Sequence, residues 1–266
     1  MTNNEAHATG RLSPTLTRAA DEFVLTTVLL FLALTVIRWL RDPGSPLFVA
    51  DLGAALAVVG AVSGVILTGL ILSPLGKRSG GHMNPAVTLT LWLMKLFPGR
   101  SVLPYVLAQL AGSAAGVALG RLAWGDRAAL PMVNYAAIRP AETWQPASVF
   151  VAELLGMLVL IALIGFLLDR PRWARTVPYV IGLYVGLVIA LLGPRSGGSI
   201  NPARQFGPAA FSGETIDLWI YLAAPMLGAA LGVLTHHLLT RRAHRPHPRS
   251  RRHQARTAAP LPLTCH

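Results

Sequence analysis

SGGHMNPAVT at residues 79 to 88 and SGGSINPARQ at residues 196 to 205 are nearly the same ten residues. Both run Ser-Gly-Gly, two variable residues, then Asn-Pro-Ala, and the asparagines Asn84 and Asn201 stand 117 residues apart (201 minus 84). That spacing is too long for a tandem repeat and fits two half-proteins joined end to end. Each copy also carries the signature of a helix start. Asparagine caps the free backbone N–H groups, and proline at the first helical position gives up a donor that had no partner.

The chain around the two copies has the composition of a membrane protein. Of 266 residues, 53% are hydrophobic and 13% charged, and the mean hydropathy is +0.53, well away from the soluble average. The single cysteine, Cys265, excludes an intrachain disulfide and a cysteine-based metal site. The net charge of +12 would point to nucleic acid if it formed one face, but seven arginines crowd into residues 241 to 256. That is a tail, and no nucleic acid is expected as a partner. The first twenty residues are polar and the first apolar run is long, so no cleavable signal peptide is expected.

Six apolar segments approach the roughly 20 residues that a spanning helix needs: 22–40, 51–73, 102–124, 148–168, 177–193 and 216–239. Six spans put both ends of the chain on one side. Lys77, Arg78, Lys95, Arg100, Arg170, Arg172, Arg175 and the basic tail share that side, against Arg38, Arg41, Arg121, Arg127, Arg139 and Arg195 on the other. By the positive-inside rule both termini are expected in the cytoplasm, in a cell (inner or plasma) membrane.

Two segments are left over. Residues 84–97 and 201–212, the ones that open with Asn-Pro-Ala, are apolar but too short to cross. They read as re-entrant half-helices. The rest of each half repeats as well: YVLAQLAGSAAG from Tyr105 matches YLAAPMLGAALG from Tyr221, with Gly112 and Gly116 matching Gly228 and Gly232. The acids Glu22 and Glu153 each stand near the start of the first span of their half. Three spans per half is an odd number, so the second copy lies upside down relative to the first. The expected fold is an all-α membrane protein of six transmembrane helices plus two re-entrant half-helices in an inverted repeat.

Half-helices entering from opposite faces bring their Asn-Pro-Ala ends together at mid-membrane. The stretches leading in, Gly80, Gly81 and His82 in one and Gly197, Gly198 and Ser199 in the other, cannot be helical throughout. Non-helical backbone at that depth is tolerated where it is buried in protein or lines a wet cavity. Carbonyl acceptors beside two asparagine donors make a polar track, and both half-helices aim roughly half a positive charge at one spot. Such a field repels cations and protons and passes neutral molecules.

These residues resemble the aquaporin and aquaglyceroporin superfamily, the major intrinsic proteins, over roughly residues 20 to 240. The resemblance implies an aquaporin-like right-handed bundle, one pore per subunit, a homotetramer and no cofactor. It implies a passive channel, not an enzyme, for water and small neutral solutes such as glycerol, urea or undissociated metalloid acids. It divides the chain into a disordered cytoplasmic N-terminus (1–20), a channel domain (21–240, with repeats at 21–124 and 148–240) and a basic disordered tail (241–266). Asn84, Pro85 and Ala86 with Asn201, Pro202 and Ala203 match the two family motifs whose asparagines donate to the permeating molecule. Arg204 matches the arginine of the selectivity constriction, and a charge at membrane depth normally marks a pathway. Offsets from the asparagines put Gly64, Ile189 and Gly198 beside it.

Water-selective members usually carry an aromatic residue and a histidine at that constriction. Two glycines and an isoleucine imply a wider opening, similar to nodulin-like plant channels and their bacterial relatives. Glycerol facilitators usually have aspartate after the constriction arginine, where this chain has Gln205.

Several alternatives stand open from the sequence. Glu22 and Glu153 are either buried acceptors for loop donors or the proton sites of a proton-coupled secondary transporter. Ser196 or Ser199 with His237 is the one arrangement that resembles a hydrolase nucleophile and base. His82 has a structural reading and a proton-gate reading. The basic tail either meets anionic lipid or stays solvated, and residues 125–147 either cap the mouth or do not. The glycines spaced by four, Gly112, Gly116 and Gly120 with Gly228 and Gly232, read as close helix contacts.

Overall fold

The computed structural model describes residues 13–243. Ser13 opens the first helix: its hydroxyl accepts from the Leu16 N–H, Pro14 fills the first position, and α1 (Pro14–Arg41) runs on for 28 residues. The expected disordered N-terminus of residues 1–20 is corrected in part. Residues 14–20 are the first two turns of α1, because cap and proline start the helix ahead of the apolar run. Residues 1–12 lie outside the described residues, as does the tail from 244 onward; α10 carries the chain as far as Ala243.

The other elements are α2 (Leu52–Leu72), α3 (Pro74–Ser79), α4 (Pro85–Leu93), α5 (Val102–Trp124), α6 (Pro146–Leu168), α7 (Pro171–Ala174), α8 (Val177–Leu192), α9 (Pro202–Ser212) and α10 (Leu218–Ala243). Five of the spans, α1, α2, α5, α6 and α10, are long and apolar enough to cross a membrane. The sixth, α8, is apolar but has 16 residues, about 24 Å of helix against a hydrocarbon core of about 30 Å. Half-helix α4 ends at Leu93, short of the expected residue 97, in a turn that Lys95 closes with a φ of 61°. Helix α3 was not expected; Ser73 caps it and Pro74 opens it.

The inverted repeat is visible in the packing. Helix α1 lies on α5 as α6 lies on α10, and α2 crosses α8 where the halves meet. The half-helices are exchanged: α4 packs on α10 and α9 packs on α5. The expected glycine series makes these contacts. Gly112 and Gly116 rest on the carbonyls of Phe23 and Thr27, and Gly228 rests on that of Leu154. Gly120 and Gly232 meet the side chains of Leu34 and Ile161. Where α2 crosses α8, Gly64 faces the Gly182 carbonyl and Gly60 the Gly186 carbonyl, backbone against backbone.

At the face opposite the chain ends, Arg38 lies between two indole rings, 4.3 Å from Trp39 and 4.8 Å from Trp124. One turn on, buried Asp42 accepts from the Gly44 N–H at 2.8 Å and from Arg127 at 3.0 Å. Burial alone would raise the Asp42 pKa, but Gly44, Arg127 and Arg38 outweigh it and hold the carboxyl below its ordinary value. A lowered folded-state pKa gives stability that is present above the unfolded-state value, about 3.9, and is lost as pH falls through the folded one. Asp42→Asn is therefore expected to melt below the unaltered protein at pH 7, with the gap closing as the pH drops under about 4. Thermal melts in detergent at both pH values check this; a gap that persists in acid refutes it.

Candidate functional site

The two stretches that lead into the half-helices have the same backbone. Gly80, Gly81 and Met83 take φ of 104°, 61° and 46°, and Gly197, Gly198 and Ile200 take 95°, 59° and 42°. Left-handed conformations at the first two positions explain the paired glycines. The third is carried by a non-glycine residue in both halves, and such a conformation persists where the surroundings hold it.

Glu22 and Glu153 are what hold it. Glu22 accepts from the Ser79 hydroxyl (2.7 Å), the His82 and Met83 amides (2.9 and 2.7 Å) and Gln109 Nε2 (2.8 Å). Glu153 accepts from the Ser196 hydroxyl (2.8 Å) and the Ser199 and Ile200 amides (3.2 and 2.6 Å). Both are 0% exposed. Fully buried and filled with donors, both acids serve as acceptors that hold the loops, and this geometry gives the transporter alternative no support. His82 is tied in similarly, its Nδ1 3.0 Å from the Thr88 hydroxyl and its ring against Phe97 and Tyr105.

Asn84 and Asn201 cap α4 and α9 and at the same time bolt the halves together. Each Oδ1 accepts an amide of its own half-helix, Ala86 N–H at 2.8 Å and Ala203 N–H at 2.9 Å. Each Nδ2 donates to the other half's loop, Asn84 to the Ile200 carbonyl (3.0 Å) and Asn201 to the Met83 carbonyl (2.9 Å). An amide nitrogen has two hydrogens, so one on each asparagine stays available. Pro85, Ala86, Pro202 and Ala203 are buried behind them in the first turns.

One cavity of about 690 Å³ runs past both asparagines, from Leu91, Leu168 and Ala174 toward the face of the chain ends to Arg41 and Arg139 at the opposite face. Gly80, Gly81, His82, Gly197, Gly198, Ser199, Ile189 and Arg204 all line it. Gly64 does not, and that expectation is corrected. Its α-carbon is pressed on the Gly182 carbonyl in the α2–α8 crossing, and the neighbouring Ser63 lines the cavity instead.

The segment between α5 and α6 forms the mouth. Residues 131–134 and 136–139 line the cavity. Asn134, Tyr135 and Ala136 are three consecutive non-glycine residues at φ 43°, 54° and 63°, a run that costs roughly 1 kcal/mol or more per residue. Arg121 donates to the Tyr135 hydroxyl at 2.5 Å and Arg204 donates to the Ala136 carbonyl at 2.7 Å. Gln205 exchanges two hydrogen bonds with the Ile138 backbone. The sequence leaves open whether residues 125–147 cap the mouth; its one signal for the left-handed run is Asn134, a residue that tolerates that region. The hydrolase alternative finds no support, since Ser196 and Ser199 donate to Glu153 and to the Asn201 carbonyl, while His236 beside His237 contacts Asp169 at the far face.

A buried polar line inside an apolar helical bundle, with half-helices entering from both sides, is shared with known proteins. The sequence model of the family described as Major intrinsic protein matches residues 11–236. This chain belongs to that family. Aquaporin AqpM of Methanothermobacter marburgensis is 38% identical over 187 residues, covering 62% of this chain and 70% of the relative. The probable aquaporin NIP7-1 of Arabidopsis thaliana is 32% identical over 217 residues, covering 81% and 74%. The propanediol uptake facilitator PduF of Citrobacter freundii is 31% identical over 255 residues, covering 82% and 90%. The crystal structure of the aquaglyceroporin from Plasmodium falciparum superposes with a TM-score of 0.72 at 20% identity, over 84% of this chain and 95% of that one, and so shares the fold. This major intrinsic protein is an integral membrane protein and a passive channel for water and small neutral solutes, not an enzyme.

Proposed function

We propose that the channel passes water together with neutral solutes of about the size of glycerol or propanediol. Ser63, Ile189, Gly198 and Arg204 would form the selectivity constriction, and Asn84 and Asn201 the central hydrogen-bonding point. One observation carries this reading: among the described residues no phenylalanine, tyrosine or tryptophan lines the cavity. Leu, Ile, Val and Ala line it together with the loop backbone and the two asparagines. A polyol carries the same two characters, carbon and hydroxyl. Relatives named as a propanediol uptake facilitator and as the probable aquaporin NIP7-1 support the choice.

Arg204 and the two half-helix N-termini place positive potential along the path, which disfavours cations and protons. The excess of basic residues at the face of the chain ends supports placing that face in the cytoplasm of a cell membrane, with the tail on anionic lipid. The family resemblance supports a homotetramer.

Stopped-flow light scattering on proteoliposomes tests the reading. An osmotic step, a glycerol gradient and a urea gradient are all expected to relax faster than in empty vesicles, with flux linear in the gradient. Water flux with no solute flux would overturn the wide constriction, and saturating, proton-driven uptake would overturn the channel mechanism. The same preparation reports sidedness through labelling of Cys265 by an impermeant maleimide, and assembly through particle mass.

A further inference from the structure

Gln205 is buried to 1% exposure and its side chain ends on the mouth segment, not in the cavity. Oε1 accepts from the Ile138 N–H at 2.9 Å and Nε2 donates to the Ile138 carbonyl at 3.1 Å. A primary amide thus pairs with both backbone groups of one residue, as a neighbouring strand would. Ile138 in turn wedges its side chain onto Gly197, in the loop whose backbone lines the cavity. Two residues earlier the Ala136 carbonyl receives the Arg204 guanidinium. The pair therefore controls where Ala136, Ala137 and Ile138 stand, and they stand on the cavity wall.

The backbone just before the pair supplies the reason a clamp is needed. The left-handed run at residues 134–136 is held on its near side by Arg121 and Arg204 and on its far side by Gln205. A strained non-glycine run persists when its surroundings over-determine it. With one side released, it has a relaxed state to move to, and that movement takes the Ala136 carbonyl away from Arg204. An aspartate at this position would lack the donor for the Ile138 carbonyl and be one methylene shorter, so it could not make this pair.

We propose that Gln205 is a positioning residue that clamps residues 136–138 as a fixed wall of the mouth and thereby sets the upper size of solute admitted. The proposal rests on the channel reading given above and adds the residue that sets its size limit. Unlike a residue that merely stabilises the fold, Gln205 changes which solutes pass.

The test compares xylitol, a five-carbon polyol, with water in proteoliposomes of the unaltered channel and of Gln205→Met, which keeps the side-chain length and loses both bonds. The xylitol-to-water permeability ratio is expected to rise by roughly tenfold in the variant, the factor that one or two net hydrogen bonds are worth, with water flux nearly unchanged. A ratio that stays put, or all fluxes falling together, overturns the proposal. Amide hydrogen exchange on the unaltered channel tests the clamp itself independently of any variant. The Ile138 amide is expected to be strongly protected, and rapid exchange there overturns the clamp. Gln205→Asn, too short to span both Ile138 groups, carries the same expectation as the methionine variant. An unaltered channel that passes water and no glycerol would sink the wide-pore reading, while leaving the Ile138 exchange result to stand or fall alone.

Discussion

Ser63→Phe is expected to cut glycerol permeability by about a hundredfold while water permeability falls by less than about tenfold. Ser63 lines the cavity at half-burial on α2, one residue from the Gly64 contact with α8, so a larger side chain there grows into open space. A benzyl group excludes a three-carbon polyol on size and leaves room for a smaller molecule. The same substitution one residue on has a different consequence. Gly64→Phe drives the ring into the Gly182 carbonyl, and the α2–α8 crossing cannot hold it. The first variant should therefore purify as a folded, solute-tight channel and the second should not purify folded at all. Proteoliposome flux and size-exclusion profiles of the two read this directly. Solute flux unchanged in Ser63→Phe would remove Ser63 from the constriction.

Glu22→Leu is expected to give no folded channel. The carboxylate accepts from four donors, Ser79, His82, Met83 and Gln109, all buried. Each buried donor left unpaired costs about 1–3 kcal/mol, and four of them approach the whole stability of a typical protein, about 5–15 kcal/mol. The loop they hold carries Met83 at positive φ and the carbonyl to which Asn201 donates, so the damage crosses into the second half. Glu22→Gln keeps the shape and part of the accepting capacity and should fold with a lowered melting temperature. Fluorescence-detected size exclusion and thermal melts in detergent check both; a monodisperse Glu22→Leu channel would show the loop to be held by other contacts.

The two Asn-Pro-Ala stretches made most of the architecture legible, because each combines a cap, a helix-starting proline and an apolar run too short to cross, and because counting three spans forces the inversion. Glycine spacing in α5 and α10 gave the right neighbours for the same kind of reason: a missing side chain at helical period has to be filled by another helix. The count by offset is where sequence and structure part: Ile189 lines the cavity, whereas Gly64 is drawn into the backbone contact of α2 with α8, which no count along the chain reveals, and its neighbour Ser63 lines the cavity. The mouth was not legible either. Residues 125–147 have no periodicity, and the bonds that fix them come from Gln205, Arg204 and Arg121, all distant in sequence.

Reciprocity between Asn84 and Asn201 bears on how such a chain came to exist. Each asparagine satisfies a carbonyl that belongs to the opposite half, and each short helix is cradled by the other half's long one. Neither half alone is closed, yet everything one lacks is what an inverted twin provides. A gene of half this length, inserted into the bilayer in both orientations, would have found its missing partner in its own product. Joining two such halves in one chain would make that pairing permanent and leave each position free to differ from its counterpart, as Gln205, which holds the mouth, differs from Thr88, which meets His82.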